Sequence, residues 1–216
     1  MGIKKINYDE IQNSIKTGDL VLFHGTMPAS ELTELLQVCK WSHVAMAIRP
    51  EDVGIDYPDL LLWESNTLKN LKDVKLNKGK TGPMLVNLRE RILTDIEEGY
   101  DDLFQVRYLD PGLLAKDARD MHRKLKSFIE TVHLDNYPKT ERQAFTDFLE
   151  GHFLQRDPNP KDYFCSELIA ATYIHMGLLT KDFVANSYLP KDFSDKASLP
   201  LLQRAYLTNG PYIEVK

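Results

Sequence analysis

A cysteine at the start of a predicted helix is the residue of this sequence best suited to chemistry. Within the segment DYFCSEL, residues 162–168, Asp162 is a candidate N-cap and Cys165 falls in the first turn. The free amides and the positive end of the helix dipole stabilise a thiolate there and lower the thiol pKa. Cys165 is therefore a candidate nucleophile. Free cysteine is also often buried, so a small core residue is the alternative interpretation.

A thiolate that attacks an acyl group needs a base, and the sequence offers six histidines. His43 opens an otherwise apolar strand pattern at residues 43–48, which makes it a candidate general base. His24 ends the preceding strand pattern and is the competing candidate, while a satisfied core histidine is the other interpretation of His43. The remaining four lie on helical patterns, where we expect solvated or capping positions: His122, His133, His152 and His175.

Glu64 supplies a possible third group. It ends a predicted strand at residues 60–64, and a carboxylate there can orient an imidazole on the neighbouring strand, as a catalytic triad requires. Taken alone, this glutamate is better explained as the polar end of a strand. Ser166 and Glu167, beside the cysteine, are explained as residues that start a helix.

The elements that must position these residues divide the chain into a strand-rich first half and a helical second half. The fold class is therefore predicted as α+β, with an antiparallel sheet or small barrel packed on the cysteine-bearing helix and further helices. Residues 65–83 are predicted to be a surface loop with little packing, and residues 190–216 irregular apart from a short strand at 212–215. Strands are predicted at 20–23, 43–48, 60–64, 84–88 and 103–109, and helices at 8–16, 28–39, 89–96, 115–132, 139–153 and 163–176.

Composition excludes several classes of protein. The 216 residues include 43% hydrophobic and 27% charged residues, enough apolar material for a core. A net charge of −5 argues against a nucleic-acid partner, which usually requires a basic face. The two cysteines are too few for a disulfide framework, and neither a secretory signal nor a stable membrane span is recognisable. We expect a cytoplasmic protein and make no prediction of its oligomeric state.

Other catalytic and metal-binding patterns are not met. The Gly79-Lys80-Thr81 tripeptide lacks the first glycine of a phosphate-binding loop, because that position is Val74. No His-Glu-x-x-His, Cys-x-x-Cys or Gly-x-Ser-x-Gly pattern occurs, which removes the usual anchors of zinc and serine chemistry. We therefore expect no metal and no cofactor, and we assign Cys39 to the core.

Four segments together carry a resemblance to a known family. Residues 18–23 (GDLVLF), 41–48 (WSHVAMAI), 63–65 (WES) and 163–168 (YFCSEL) resemble the circularly permuted NlpC-type family of papain-like cysteine hydrolases, most of all its YiiX-like branch. Enzymes similar to lecithin retinol acyltransferase are more distant relatives with the same permutation. In this family the histidine strand precedes the cysteine helix, as it does here.

The resemblance implies a role for each candidate residue. Cys165 would be the nucleophile, His43 the general base and acid, and Glu64 the group that orients His43. The backbone amide of Cys165 would contribute to an oxyanion hole. Tyr163 would line the substrate cleft, and the alternative for its ring is packing against the helix start.

The resemblance also implies a single permuted papain-like domain over residues 1–216, with a helical insertion around 135–160. Members of the family often carry a Gly-x-x-Tyr-Asp-like segment before the cysteine helix. This chain has Asp-Asn-Tyr-Pro at residues 135–138 instead, so the wall that faces the substrate differs.

Three functions follow from these expectations. The first is a thiol hydrolase that cleaves a peptide or acyl-amide bond through an acyl-enzyme on Cys165. The second is a lipid-directed acyltransferase or phospholipase, and the third is a non-catalytic binding module on the same fold. The partner is accordingly a small peptide, an acyl-amide or a lipid-like substrate. The enzyme hypotheses require the Cys165 sulfur and a His43 nitrogen to lie within about 4 Å of each other, or at a separation that a rotamer change can bridge.

Overall fold

The computed structural model describes residues 3–25, 40–136, 138–159, 161–197 and 199–215, and gives only the backbone of residues 141, 142, 144 and 145. The predicted helix at 28–39 and Cys39 lie outside the described residues. The described residues form a mixed α+β structure around one seven-stranded sheet.

The sheet is built by segments from both ends of the chain. Its strands are β1 (Lys5–Asn7), β2 (Leu20–Gly25), β3 (His43–Ile48), β4 (Leu61–Asn66), β5 (Gly82–Asn87), β6 (Asp101–Asp110) and β7 (Tyr206–Glu214). Their spatial order is β1-β7-β6-β2-β3-β4-β5, with β1 parallel to β7 and the other neighbours antiparallel. Since β1 and β5 are edges among the described strands, the sheet is open, and the small barrel allowed as an alternative is wrong.

Helices cover this sheet. They are α1 (Tyr8–Ile11), α2 (Pro50–Val53), α3 (Leu88–Glu97), α4 (Ala118–Val132), α5 (Glu141–Leu154) and α6 (Cys165–Met176), with short 3-10 segments at Gly112–Asp117, Ala185–Ser187 and Pro190–Phe193. Helix α1 is shorter than the predicted helix at 8–16. No helix of the described ranges has the length and apolar character that crossing a bilayer requires.

The central strands are buried on both faces. Successive side chains of a strand point to opposite faces, so Val44 and Met46 of β3 pack in the cluster with α4 and α6. Ala45 and Ala47 pack in the second cluster, which contains Tyr8 of α1 and residues of α3. This two-sided burial explains why β3 has a continuous apolar sequence and why its prediction at 43–48 is confirmed.

Helices α4 and α6 are the two main elements on the first face. The apolar stripe of α4 is buried as the 3.6-residue periodicity predicts, and burying one such side chain stabilises the fold by about 1.5–3 kcal/mol. Helix α6 ends at Gly177, which adopts a φ of +85° that favours glycine. The five buried residues of the α4 stripe are Met121, Leu125, Phe128, Ile129 and Val132.

Strand β7 is longer than the predicted strand at 212–215. It pairs with β6 from Tyr206 to Ile213, and most of its side chains are exposed or half-buried. Its apolar alternation is therefore weak, and the pairing with β6 decides its conformation.

The loop between β4 and β5 is partly packed, which corrects the prediction of a surface loop with little packing. Asp73 is fully buried and its carboxylate accepts hydrogen bonds from the backbone N–H of Leu85 and of Leu76, at 2.9 and 2.8 Å. His133, at the end of α4, donates to the same carboxylate at 2.8 Å. A buried carboxylate with three donors pins this loop to the sheet and to α4.

Candidate active site

The fold brings Cys165, His43 and Glu64 together. Cys165 is the first residue of α6, His43 is the first residue of β3, and Glu64 lies on the adjacent strand β4. The His43 Nε2 atom donates to Glu64 Oε2 at 2.9 Å, and His43 and Cys165 are neighbours whose charges act on each other. Since Nε2 faces the carboxylate, Nδ1 is the imidazole nitrogen left for the sulfur. The three side chains thus form one line, with His43 between the sulfur and the carboxylate.

The helix that carries Cys165 begins later than the sequence predicts. Phe164 is the N-cap, and its backbone N–H donates to the Glu167 carboxylate at 3.3 Å. Asp162 is not the cap, because its carboxylate accepts from Gln143 Nε2 of α5 at 2.8 Å. Cys165 still lies in the first turn, where backbone N–H groups lack an intrahelical acceptor.

The surroundings of Cys165 favour a thiolate. The side chain is nearly buried, at 9% relative exposure, and burial by itself raises a thiol pKa. The pKa of Cys165 is nevertheless lowered, because the charge and the hydrogen bond of His43 oppose burial, as do the backbone N–H groups of Val44 and Ser166. The sulfur therefore has both a cation and amide donors beside it.

His43 is the cationic partner of that thiolate. Burial lowers the pKa of an imidazole, but the charge and hydrogen bond of Cys165, followed by those of Glu64, raise the pKa of His43 to about 10. The edge of the ring also contacts Phe23, with centroids 5.0 Å apart, which limits its rotation. The two charges therefore favour each other, because the thiolate stabilises the imidazolium and the imidazolium stabilises the thiolate.

Glu64 stays ionised although it is fully buried. Burial raises its pKa, but the Arg91 guanidinium, together with the His43 hydrogen bond, lowers the pKa to about 2. Arg91 Nε and Nη2 donate to Glu64 Oε1 at 2.8 and 2.6 Å, and Arg91 Nη1 lies 3.3 Å from Asp95 Oδ1. Glu64 is thus an ionised carboxylate behind the imidazolium.

Arg91 and Asp95 were missed by the sequence reasoning, which treated the helix at 89–96 only as a connection. Their spacing contains a signal, because Arg91 and Asp95 fall on the helix face of Leu88 and Ile92, both fully buried. A charged residue on the apolar face of a helix requires a buried partner, and here that partner is Glu64.

The remaining sequence candidates occupy other places. His24 Nδ1 pairs with the exposed carboxylate of Asp102 at 2.8 Å, so His43 is the histidine that adjoins Cys165. The ring of Tyr163 packs edge-on against Phe128, 6.5 Å between centroids, and its carbonyl accepts from Ser65 Oγ at 2.5 Å. Packing accounts for the ring of Tyr163, and its contact with substrate stays a prediction.

The other histidines serve the fold. His133 is the C-cap residue of α4, which is the capping position expected for it, but its side chain is buried against Asp73 and stacks on Trp63 instead of facing solvent. His122 pairs with Asp52 at 3.1 Å, and His152 stacks on a phenylalanine of its own helix. Within the described ranges, no group of three or more His, Cys, Asp or Glu side chains is arranged to hold a metal ion.

Comparison with known proteins yields little at the level of sequence. No family model matches the chain, and no curated protein matches it. Among solved structures, the metalloprotein yiiX from Escherichia coli O157:H7 is similar, with 17% identity over 94% of this chain and 99% of that chain and a TM-score of 0.49.

Proposed function

We propose that this protein is a thiol hydrolase that cleaves an amide bond, in a peptide or an acyl-amide, through an acyl-enzyme on Cys165. We further propose that its fold is the permuted NlpC-type papain-like fold. The observation that carries the function is the line from Cys165 through His43 to the buried Glu64, in which His43 is the neighbour of Cys165 and donates to Glu64 at 2.9 Å. A nucleophile, a base and a group that orients the base are the three parts of a triad.

In the first half of the reaction, the Cys165 thiolate attacks the carbonyl carbon and forms a carbon–sulfur bond. The carbonyl π electrons move to the oxygen, which faces the helix start, where the backbone N–H of Cys165 can donate to it. The tetrahedral intermediate collapses as the carbon–nitrogen bond breaks. His43 gives its proton to the departing nitrogen, so a neutral amine leaves and an acyl-enzyme remains.

The electrostatics of the pair suit an amine leaving group. The thiolate charge is the largest factor that raises the pKa of His43 against burial. That charge disappears from the sulfur when Cys165 is acylated, so the His43 pKa falls at the step that requires an acid. An imidazolium that becomes more acidic during the reaction can protonate an amine, whose expulsion as an anion is prohibitive.

In the second half, neutral His43 removes a proton from water, and the resulting hydroxide attacks the acyl carbon. Collapse of this intermediate breaks the carbon–sulfur bond and releases a carboxylic acid product. His43 returns to the imidazolium form beside a Cys165 thiolate, and the ionised Glu64 stabilises that imidazolium throughout. Atoms balance as one amide plus one water giving one acid and one amine.

The test uses a thiol-reactive acyl probe and a panel of N-acyl and peptidyl p-nitroanilides. We expect Cys165→Ala to abolish both probe labelling and p-nitroaniline release while the circular dichroism spectrum and Tm stay unchanged. Cys39→Ser, which removes the other cysteine of the sequence, is the matched control and retains both signals. Labelling or turnover that persists in Cys165→Ala would overturn the proposal.

A further inference from the structure

A line of alternating charges extends from the candidate nucleophile into the second core of the protein. The line begins with Cys165, His43 and Glu64 and continues with Arg91 and Asp95 of α3. The Glu64 and Arg91 side chains have no exposed surface. The Asp95 side chain is only 3% exposed. Burying charges is unfavourable unless each is paired, so this line requires every one of its members.

Arg91 binds one oxygen of the Glu64 carboxylate and leaves the other oxygen to His43. Two of its nitrogens, Nε and Nη2, donate to Oε1, while Oε2 accepts from His43 at 2.9 Å. One oxygen thus faces the guanidinium, and the other accepts from the imidazole and, at 3.4 Å, from Asn66 Nδ2. A planar guanidinium presents its donors in a fixed fork, so it fixes the orientation of the carboxylate as well as its charge.

Arg91 is itself fixed by hydrogen bonds on the side away from Glu64. Its Nη1 atom donates to Asn70 Oδ1 at 3.0 Å and to Asp95 Oδ1 at 3.3 Å. These contacts come from the loop after β4 and from the next turn of α3, so the guanidinium has a single position. Asp95 also compensates the Arg91 charge, which would otherwise oppose the imidazolium of His43.

We propose that Arg91 is a positioning residue of the candidate active site, which keeps Glu64 ionised and oriented so that His43 and Cys165 remain an ion pair, and that Asp95 anchors Arg91. This inference rests on the proposed function for its catalytic meaning. The protonation state of the Cys165 sulfur, on which the inference bears directly, can be measured without any substrate.

Every charged group that faces Glu64 affects the expected titration of the Cys165 thiol. These groups come from four elements: His43 of β3, Arg91 and Asp95 of α3, Asp101 of β6 and Cys165 of α6. Burial raises the pKa of Asp101, and it raises that of Asp95 to about 7, so Asp95 carries only part of its charge at neutral pH. Arg91 is therefore the strongest fixed charge behind Glu64.

Loss of Arg91 is expected to change the pH dependence of Cys165 ionisation. Glu64 would then be a buried carboxyl with donors on Oε2 alone, His43 at 2.9 Å and Asn66 Nδ2 at 3.4 Å, and burial would raise its pKa. A protonated Glu64 no longer stabilises the imidazolium, so the His43 pKa falls and the Cys165 pKa rises. The Cys165 thiolate therefore forms only at a higher pH than in the wild type.

The experiment measures the rate at which iodoacetamide alkylates Cys165 against pH, in a Cys39→Ser background. We expect Arg91→Met to move the rising limb of this profile, where the thiolate forms, up by about one pH unit, a tenfold change in that equilibrium. The matched control is Arg89→Met, on the same helix, whose surface pair with Asp9 at 3.6 Å lies outside the line. A rising limb that stays in place in Arg91→Met would overturn the inference, because a merely structural defect lowers the amplitude of the profile without moving the limb.

A second variant keeps the test decisive if Arg91→Met does not fold. Arg91→Lys retains the charge but loses the fork, and we expect a smaller shift of the rising limb in the same direction and a lower kcat. A profile of Arg91→Lys identical to the wild type overturns the inference. If the p-nitroanilide assay fails while the rising limb shifts, the proposed function fails and the positioning role stands. If turnover depends on Cys165 while the rising limb stays fixed, the positioning role fails and the proposed function stands.

Discussion

The indole N–H of Trp63 donates a hydrogen bond to the hydroxyl of Thr172 at 3.1 Å, and both side chains are fully buried. Trp63 precedes Glu64 on β4, and Thr172 lies two turns after Cys165 on α6. This one bond therefore ties the strand that carries the carboxylate to the helix that carries the thiol.

Replacing Thr172 by valine preserves the shape of the side chain and removes the acceptor for Trp63. Because the indole N–H is then buried without a partner, we expect Thr172→Val to lower the free energy of unfolding by about 1–3 kcal/mol in urea denaturation. Thr131→Val is the matched control, since Thr131 makes the same bond to the carbonyl four residues back but is exposed. Equal losses in the two variants would contradict a role for the Trp63 bond.

The thiolate of Cys165 should depend on His43 and not on His24. With His43 replaced by glutamine, burial dominates and the Cys165 pKa rises, so alkylation by iodoacetamide at pH 7 should slow by about tenfold or more. In the wild type the ion pair is lost as pH rises through about 10, the His43 pKa. His24→Gln should leave the alkylation profile unchanged. A shifted profile in this variant would contradict the assignment of His43 as the partner of Cys165.

Asp95 should make stability depend on pH. Burial raises its pKa from 3.8 to about 7 in the folded protein, so the folded state binds more protons than the unfolded state between these values. Stability contributed by this group therefore falls as pH rises across that window. Asp95→Asn removes the titration but keeps an oxygen for Arg91. We therefore expect the free energy of unfolding of this variant, relative to that of the wild type, to increase by about 2–4 kcal/mol between pH 4 and pH 7. A constant difference in urea unfolding across this range would refute the prediction.

The buried carboxylate of Asp73 should be more important to the fold than its place in a lysine-rich loop suggests. Burial raises its pKa, but the hydrogen bonds from His133 and the Leu85 amide, among others, lower it, so Asp73 is ionised at neutral pH. We expect Asp73→Asn to destabilise the protein by about 1–3 kcal/mol at pH 7, measured by urea denaturation. Asp102→Asn removes an exposed partner of a histidine and should change stability by less than about 0.5 kcal/mol.

Several elements could be predicted because their signals are local. The apolar run at 43–48 and the stripe of α4 depend only on neighbouring residues, and both are confirmed. The start of α6 was misplaced at Asp162, because a residue from another helix, Gln143, competes for its carboxylate. The length of β7 was underestimated for a similar reason, since its pairing partner β6 lies about a hundred residues away.

By itself, the sequence determined which residues have the chemistry for a thiol site: a cysteine at a helix start, a histidine that opens a strand and a glutamate on the next strand. Only the tertiary structure decided that His43, and not His24, adjoins Cys165, and that Arg91 stands buried behind Glu64. Helix and strand signals arise from neighbouring residues in the chain. The pairing of buried charges instead depends on which distant segments pack together and on how completely packing excludes water.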